Sequence, residues 1–193
     1  MKVLITGFGP FPGMPRNPAG EAARRLGRLR RPALAGWERT VLILPTEWQA
    51  LGDLPAALDR LKPDVVLMLG VASRRRKLAV EVRAVNAARG LDAARRRPQT
   101  RLVAAGPAIL RLTASGPALA HALRGAGVPA ALSRDAGRYL CNGAYYTALS
   151  ALAGAGVPVA FLHLPGRGPE SRRSARQMDF ALSQALIALG RAR

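Results

Sequence analysis

The 193-residue chain contains one cysteine and two histidines. That scarcity excludes an internal disulfide and a structural zinc centre, which takes about four Cys or His ligands, or about three plus water at a catalytic site. Acidic side chains are also few, 11 against 30 Lys and Arg, for a formal net charge of +19. Only three of the basic residues are lysine, and the arginines run from Arg16 to Arg193 without concentrating in one segment. Such a spread describes a solvated surface and solubility before it describes a dedicated nucleic-acid interface. No apolar run approaches the roughly 18 residues that would span a bilayer. Met1-Lys2 leads straight into a strand pattern with no leader-like order of basic then apolar residues, so a cytoplasmic protein without membrane association is expected. A lone thiol persists in that reducing compartment. Hydrophobic residues make up 49% of the chain, enough for a substantial core, and the length predicts one compact domain over residues 1–193.

Apolar runs and helical periodicities alternate along the chain. Val3-Leu4-Ile5-Thr6-Gly7 reads as a buried strand, and Asn17-Pro18 as an N-cap with proline in the first helical position, opening a helix to about Arg30. Trp37 to Leu44 is a second strand. Thr46 to Leu61 has helical spacing and stops at Lys62-Pro63. Residues 64–70 form a third strand, and Leu78 to Val85 alternates as a fourth. Asn86 to Thr100 lacks periodicity and reads as a loop or weak helix. Ser115 starts a helix that ends near Gly125 or Gly127, Val128 to Ser133 is strand-like, and Cys141 to Ala153 is helical. Val157 to Leu162 is a strand, and Pro169 to Leu189 is a closing helix. This alternation predicts an α/β fold, a three-layer α/β/α sandwich around a mostly parallel central sheet. Ligands of such sheets gather at the carboxyl ends of the strands. The loop Phe8 to Asn17, the Glu81 strand, the turn into Cys141 and His163 are expected to converge there.

Three residues combine into possible chemistry. Cys141 begins a helix, where unpaired amides and the helix dipole favour a thiolate and offer donors to an oxyanion; as a small buried hydrophobe it would have no such role. His163 follows an apolar strand and suits general acid/base work, although a strand-end imidazole also serves as a satisfied core residue. Glu81 stands among Arg74, Arg75, Arg76, Lys77 and Arg83. It can orient an imidazole or simply form a salt bridge. Phe8 and Phe11, two of only four phenylalanines, share one Gly/Pro-rich loop and offer faces for a flat uncharged ring or for packing. His121 lies mid-helix and reads as structural. Tyr145 and Tyr146 read as packing residues. Gly7, Gly9 and Gly13 match neither a dinucleotide fingerprint nor a P-loop.

Taken together, Thr6-Gly7-Phe8-Gly9-Pro10-Phe11 through Asn17-Pro18, Ser133-Arg134-Asp135-Ala136-Gly137-Arg138-Tyr139-Leu140-Cys141-Asn142 and Phe161-Leu162-His163-Leu164-Pro165 resemble the pyroglutamyl peptidase I family, the pyrrolidone-carboxylate peptidases of the cysteine class. The order and spacing of these blocks fit over nearly the whole chain. The resemblance implies a phosphorylase/hydrolase-like sandwich and a Glu–Cys–His triad of Glu81, Cys141 and His163. It also implies N-terminally pyroglutamylated peptides as substrates, no metal or organic cofactor, and homo-oligomers, commonly tetramers. Glu81-Val82-Arg83-Ala84-Val85-Asn86 matches the family's glutamate segment except that the following arginine is out of place.

Two further segments depart from the family. Gly70-Val71-Ala72-Ser73-Arg74-Arg75 stands where the family has Gly-Gln-Ala-Gly-Gly-Arg, which puts Val71 at the position of a substrate-lining glutamine. Ala87-Ala88-Arg89-Gly90-Leu91-Asp92 replaces the acidic run expected after Asn86. Phe8, Phe11 and Val71 are accordingly the expected substrate-binding residues. Two alternatives stand beside this reading: the same triad acting on another small acyl or lactam amide, and a basic protein binding nucleic acid or an acidic partner on the same scaffold.

Overall fold

The computed structural model describes residues 1–166 and 172–192. Its strands are β1 (Lys2–Phe8), β2 (Glu38–Leu44), β3 (Val65–Ala72), β4 (Leu78–Glu81), β5 (Arg83–Val85), β6 (Ile109–Arg111), β7 (Ala130–Ser133) and β8 (Val159–Pro165). Its helices are α1 (Pro18–Arg28), α2 (Leu54–Leu61), α3 (Gly116–Gly125), α4 (Leu140–Ala151) and α5 (Arg172–Gly190). Six strands form one sheet in the order β2-β1-β3-β8-β4-β7, and β5 pairs with β6 in a separate antiparallel ribbon.

Successive side chains of a strand point to opposite faces, and the buried residues divide accordingly. Val3, Ile5, Val65, Leu67, Leu69, Val80 and Leu162 pack with α1, α3 and α5. Leu4, Phe8, Val66, Met68 and Phe161 pack with residues of α2 and α4. The three-layer α/β arrangement expected from the sequence is therefore present.

Local chemistry accounts for most element boundaries. Asn17 caps α1 as anticipated: its Oδ1 accepts from the Ala19 amide at 3.1 Å while its Nδ2 donates to the Gly9 carbonyl at 2.9 Å, tying the Phe8 to Asn17 loop to the helix it precedes. That helix seats directly on β1, since a Cβ at Gly7 would lie 2.6 Å from the Ala19 carbonyl oxygen. The helix expected from Thr46 is shorter. Gln49–Leu51 forms a single 3₁₀ turn and α2 begins only at Leu54, because Pro55 has no amide to continue an i→i−4 ladder from the preceding turn. Residues 169–171 of the expected closing helix lie outside the described residues.

Two departures bear on the site. The strand expected over residues 78–85 is broken. After Glu81 the Val82 amide still bonds the Ser133 carbonyl at 2.8 Å, but residues 83–85 leave the sheet to pair with β6. The β6 segment is three residues long, too short to display alternation in the sequence. In addition, β4 runs antiparallel to β8, while β7 is parallel to β4. Glu81 consequently does not join the others at the carboxyl edge of the parallel strands. It opposes Phe161, two residues deeper in the sheet than His163.

Candidate active site

Cys141 is the second residue of α4. Tyr139 before that helix is extended and offers no side-chain cap, so the first-turn amides remain directed outward beside the thiol. The start of the helix is fixed by its neighbour Asn142, which is fully buried. The Asn142 amide donates to the carbonyls of Val85 at 2.9 Å and Ala87 at 3.0 Å, while its oxygen accepts from the Val85 amide at 2.9 Å. Asn86 performs the same service for residues 102–106: its side chain bonds the amides of Leu102 and Val103 and the carbonyls of Val103 and Gly106.

The Cys141 sulfur comes to rest over Gly70. A Cβ at Gly70 would lie 2.8 Å from Sγ and 2.7 Å from Cζ of Phe161, so no side chain other than hydrogen fits between strand and sulfur. Gly70 is paired in register with His163, which places sulfur and imidazole on the same face of the sheet. Beneath them Phe161 forms an aromatic floor, its ring centroid 4.9 Å from that of His163 and 5.5 Å from that of Tyr145.

Nδ1 of His163 is 2.7 Å from Oε1 of Glu81. A carboxylate only accepts, so Nδ1 carries the hydrogen and Nε2 is the nitrogen left for the Cys141 thiol on the same face of the sheet. Burial alone would depress the basicity of His163. The hydrogen bonds to Cys141 and Glu81 and the negative charge of both outweigh it, and its pKa is pushed up to about 9. The imidazolium is the favoured form at neutral pH.

Glu81 itself is completely buried. Its Oε1 also accepts from Nη1 of Arg75 at 2.9 Å, and its backbone carbonyl accepts from the Tyr145 hydroxyl at 3.0 Å. Burial holds the Tyr145 phenol well above its ordinary range, with the Glu81 charge reinforcing the shift, so the hydroxyl stays a donor.

Of the residues singled out from sequence, Cys141, His163 and Glu81 are brought together. Phe8 lies in the same core layer as the Cys141 side of the sheet, almost wholly buried. Phe11 is half-buried in a tight turn with Met14, with their amides and carbonyls paired at 3.2 and 2.8 Å. Val71 is not brought to this face. One residue beyond Gly70, its side chain packs against the opposite core layer with α1, α3 and α5. The segment from Asn86 to Thr100 contains no helix and is held as a loop over the start of α4. Asp92 accepts there from the amides of Trp48 at 3.0 Å and Arg96 at 2.7 Å, and the Tyr139 hydroxyl donates to the Leu91 carbonyl at 2.9 Å. Burial would raise the Asp92 carboxyl, but the backbone amides and Arg96 hold it below its usual value.

Sequence reasoning missed Gly70, Asn142 and Arg75 and gave Tyr145 only a packing role. Arg75 was visible as one member of a basic cluster around Glu81, with nothing to mark it among its neighbours. Among the described residues no three His, Cys, Asp or Glu side chains converge to hold a metal ion. No helix among them is long and apolar enough to cross a membrane.

This geometry coincides with extensive likeness to known proteins. The family model described as pyroglutamyl peptidase matches residues 1–176. The chain is 40% identical over 172 residues to pyrrolidone-carboxylate peptidase 1 of Ralstonia nicotianae, covering 84% of this chain and 77% of that protein. It is 37% identical over 191 residues to the pyrrolidone-carboxylate peptidase of Chromobacterium violaceum, covering 97% and 88%. Among solved structures, pyroglutamyl peptidase I of Bacillus amyloliquefaciens superposes with a TM-score of 0.85 at 27% identity, over 98% of this chain and 97% of that one. The pyrrolidone carboxyl peptidase of Thermus thermophilus does so with 0.84 at 31% identity, over 96% and 99%. With the family model spanning most of its length and relatives of this identity along nearly all of it, the chain belongs to the pyroglutamyl peptidase family.

Proposed function

We propose that Cys141, His163 and Glu81 are the catalytic triad with which this pyroglutamyl peptidase removes an N-terminal pyroglutamyl residue from peptides. The observation that carries the assignment is the buried relay itself. The imidazole is bound through Nδ1 to a fully buried carboxylate at 2.7 Å and lies on the same face of the sheet as the chain's one thiol, whose sulfur stands over the residue paired with His163. His163 takes the proton of the Cys141 thiol, and the sulfur attacks the carbonyl that follows the lactam ring. The outward amides of the first turn of α4, that of Cys141 among them, receive the developing oxyanion, where one well-placed donor contributes about 3–4 kcal/mol. The His163 imidazolium protonates the departing amine, leaving a pyroglutamyl thioester on Cys141. Neutral His163 then takes a proton from water, which attacks the thioester and releases pyroglutamate. Glu81 keeps the imidazole in its productive tautomer throughout.

Pyroglutamate has no free ammonium, so its recess needs apolar walls and amide partners. Phe8 and Phe11 are proposed to supply apolar surface. Val71 can contribute only through its backbone, since its side chain faces the other core layer. The single thiol calls for a reducing compartment, which supports a cytoplasmic location. The exposed Leu132 on edge strand β7 offers apolar surface for homo-oligomer assembly, for which the family resemblance suggests a tetramer.

Release of pyroglutamate from a chromogenic pyroglutamyl amide tests the assignment. Cys141→Ala and His163→Ala should each lose on the order of 10⁴-fold or more in kcat, and Glu81→Gln about 10²–10⁴-fold. Replacing the pyroglutamyl group by prolyl should cost about 10⁴-fold in kcat/KM, because amide partners made for the ring carbonyl are left unpaired. Equal rates for the wild type and all three variants would remove the triad. Equal rates for both substrates would remove the lactam specificity.

A further inference from the structure

Arg75 sits in the turn between β3 and β4, flanked by the exposed Arg74 and Arg76. Unlike them it is half-buried and turned inward. Its Nη1 donates to Glu81 Oε1 at 2.9 Å and its Nη2 to the Asp135 carbonyl at 2.6 Å, six residues ahead of Cys141. The Glu81 oxygen it reaches is the one that receives His163 Nδ1, while Oε2 has no hydrogen-bond partner among the described residues. The bonding of this buried carboxylate thus runs through one oxygen shared by imidazole and guanidinium. We propose that Arg75 is a positioning residue of the hydrolysis, holding Glu81 ionised and in place during the part of the cycle in which His163 has given its proton to the leaving amine.

This inference rests on the triad reading above. A buried carboxylate is costly unless it is paired. While His163 is an imidazolium, Glu81 has two cationic partners. Once the proton has left for the amine, the imidazole is neutral and Arg75 is the remaining cation on that oxygen. Guanidinium stays charged at every pH at which the enzyme folds, so the carboxylate need not draw a proton back from solvent or from His163. The same positive charge opposes excessive stabilisation of the imidazolium and keeps it a competent acid. Among the described residues, the titratable and charged groups facing this centre are Cys141 and Tyr145 from α4, Glu81 from β4 and Arg75 from the turn. Arg75 is the permanent cation among them. Its fork also ties the β3–β4 turn to the segment leading into α4, linking the supports of carboxylate and thiol.

The experiment compares Arg75→Gln, which removes the charge, with Arg75→Lys, which retains it. Two readouts are taken: kcat and KM on a pyroglutamyl amide, and the proton NMR titration of the His163 ring, with the exposed His121 as reference in a protein that has only two histidines. Loss of a like charge across the shared oxygen should move the His163 midpoint in Arg75→Gln upward by about one pH unit. In that variant kcat should fall by about 10- to 100-fold with KM little changed. Arg75→Lys should restore the midpoint and recover most of kcat. A midpoint unmoved in Arg75→Gln, a loss confined to KM, or an Arg75→Lys variant as impaired as Arg75→Gln would each overturn the proposal. Should Arg75→Gln fail to fold, the charge-preserving variant decides: a wild-type midpoint and near-wild-type kcat support the role, and a displaced midpoint refutes it. The titration needs no substrate. A shifted midpoint in a protein inactive on pyroglutamyl amides would sink the functional reading alone, and an unshifted one in an active enzyme would sink the role of Arg75 alone.

Discussion

Replacing Gly70 by alanine adds a single methyl group at the point where strand, thiol and aromatic floor meet. The new carbon would stand 2.8 Å from Cys141 Sγ and 2.7 and 2.9 Å from two carbons of the Phe161 ring, about 1 Å inside the distance at which carbon atoms rest against one another. Phe161 is fully buried and closed in by His163 and Tyr145, so it has little room to yield. The half-buried sulfur yields instead. Overpacking of this kind costs about 1–3 kcal/mol of stability. The functional cost is larger, because a reacting atom displaced by about 1 Å loses about 10²-fold in rate.

The expected result for Gly70→Ala is therefore a folded protein melting about 2–10 °C lower, with kcat down about 10²-fold and KM nearly unchanged. Iodoacetamide reports the cause independently, since Cys141 is the only thiol. Its alkylation rate should change together with kcat as the sulfur leaves the imidazole. Gly70→Ala combined with Phe161→Leu, which vacates the ring edge, should recover part of kcat relative to Gly70→Ala alone. A Gly70→Ala enzyme with kcat within threefold of wild type and unaltered alkylation would refute the claim that the sulfur is positioned by contact with the strand.

Two further perturbations follow from the same geometry. Asn142→Leu keeps the branch at Cγ and the number of side-chain heavy atoms but abandons three hydrogen bonds to residues 85 and 87; it should destabilise the fold by about 2–4 kcal/mol in chemical denaturation and slow alkylation of Cys141. For pH, the folded-state pKa of His163 lies above its unfolded value, about 9 against 6.5. Its contribution to stability is fully present below pH 6.5 and is lost as pH rises through 9, by at most about 3 kcal/mol. Wild-type denaturation midpoints should decline over that window, whereas those of His163→Gln should not carry this component.

How much of this was legible in the sequence depended on the range of the interaction involved. The Asn17 cap, the extents of β1 and β3 and the start of α4 are written in neighbouring residues. The turn chemistry and apolar periodicity specify them locally. The direction of β4 is not local. Leu78-Ala79-Val80-Glu81 has the same alternation whether it runs parallel or antiparallel to β8, and only the crossover through Ser73 to Lys77, an arginine-rich turn instead of a helix, permits the reversal. Gly70 carried no message of its own, because a glycine ending a strand usually signals a turn; here it marks the approach of a sulfur from a helix 70 residues later. Val71 misled for the complementary reason. Alignment with a family glutamine located the residue but not the face on which its side chain lies, and one step along a strand exchanges the two core layers.

The reversal of β4 also explains why a carboxylate can occupy the centre of this sheet. Had β4 run parallel to β8, a side chain at its carboxyl end would have emerged among the loops, partly solvated and only weakly coupled to the imidazole. Running the other way, Glu81 arrives beneath His163 on the same face, opposite Phe161 and without exposure. Water cannot screen the pair there, and the carboxylate can be kept charged only by the groups that touch it. The cost of that burial is met by two cationic donors on one oxygen and a tyrosine hydroxyl on the backbone. In a chain with 30 basic residues, the arginine on this carboxylate is a half-buried one whose neighbours in sequence, Arg74 and Arg76, are exposed. The raised basicity of His163 and the position of Arg75 on the shared Glu81 oxygen thus follow from a single topological choice, an antiparallel strand inserted beside β8.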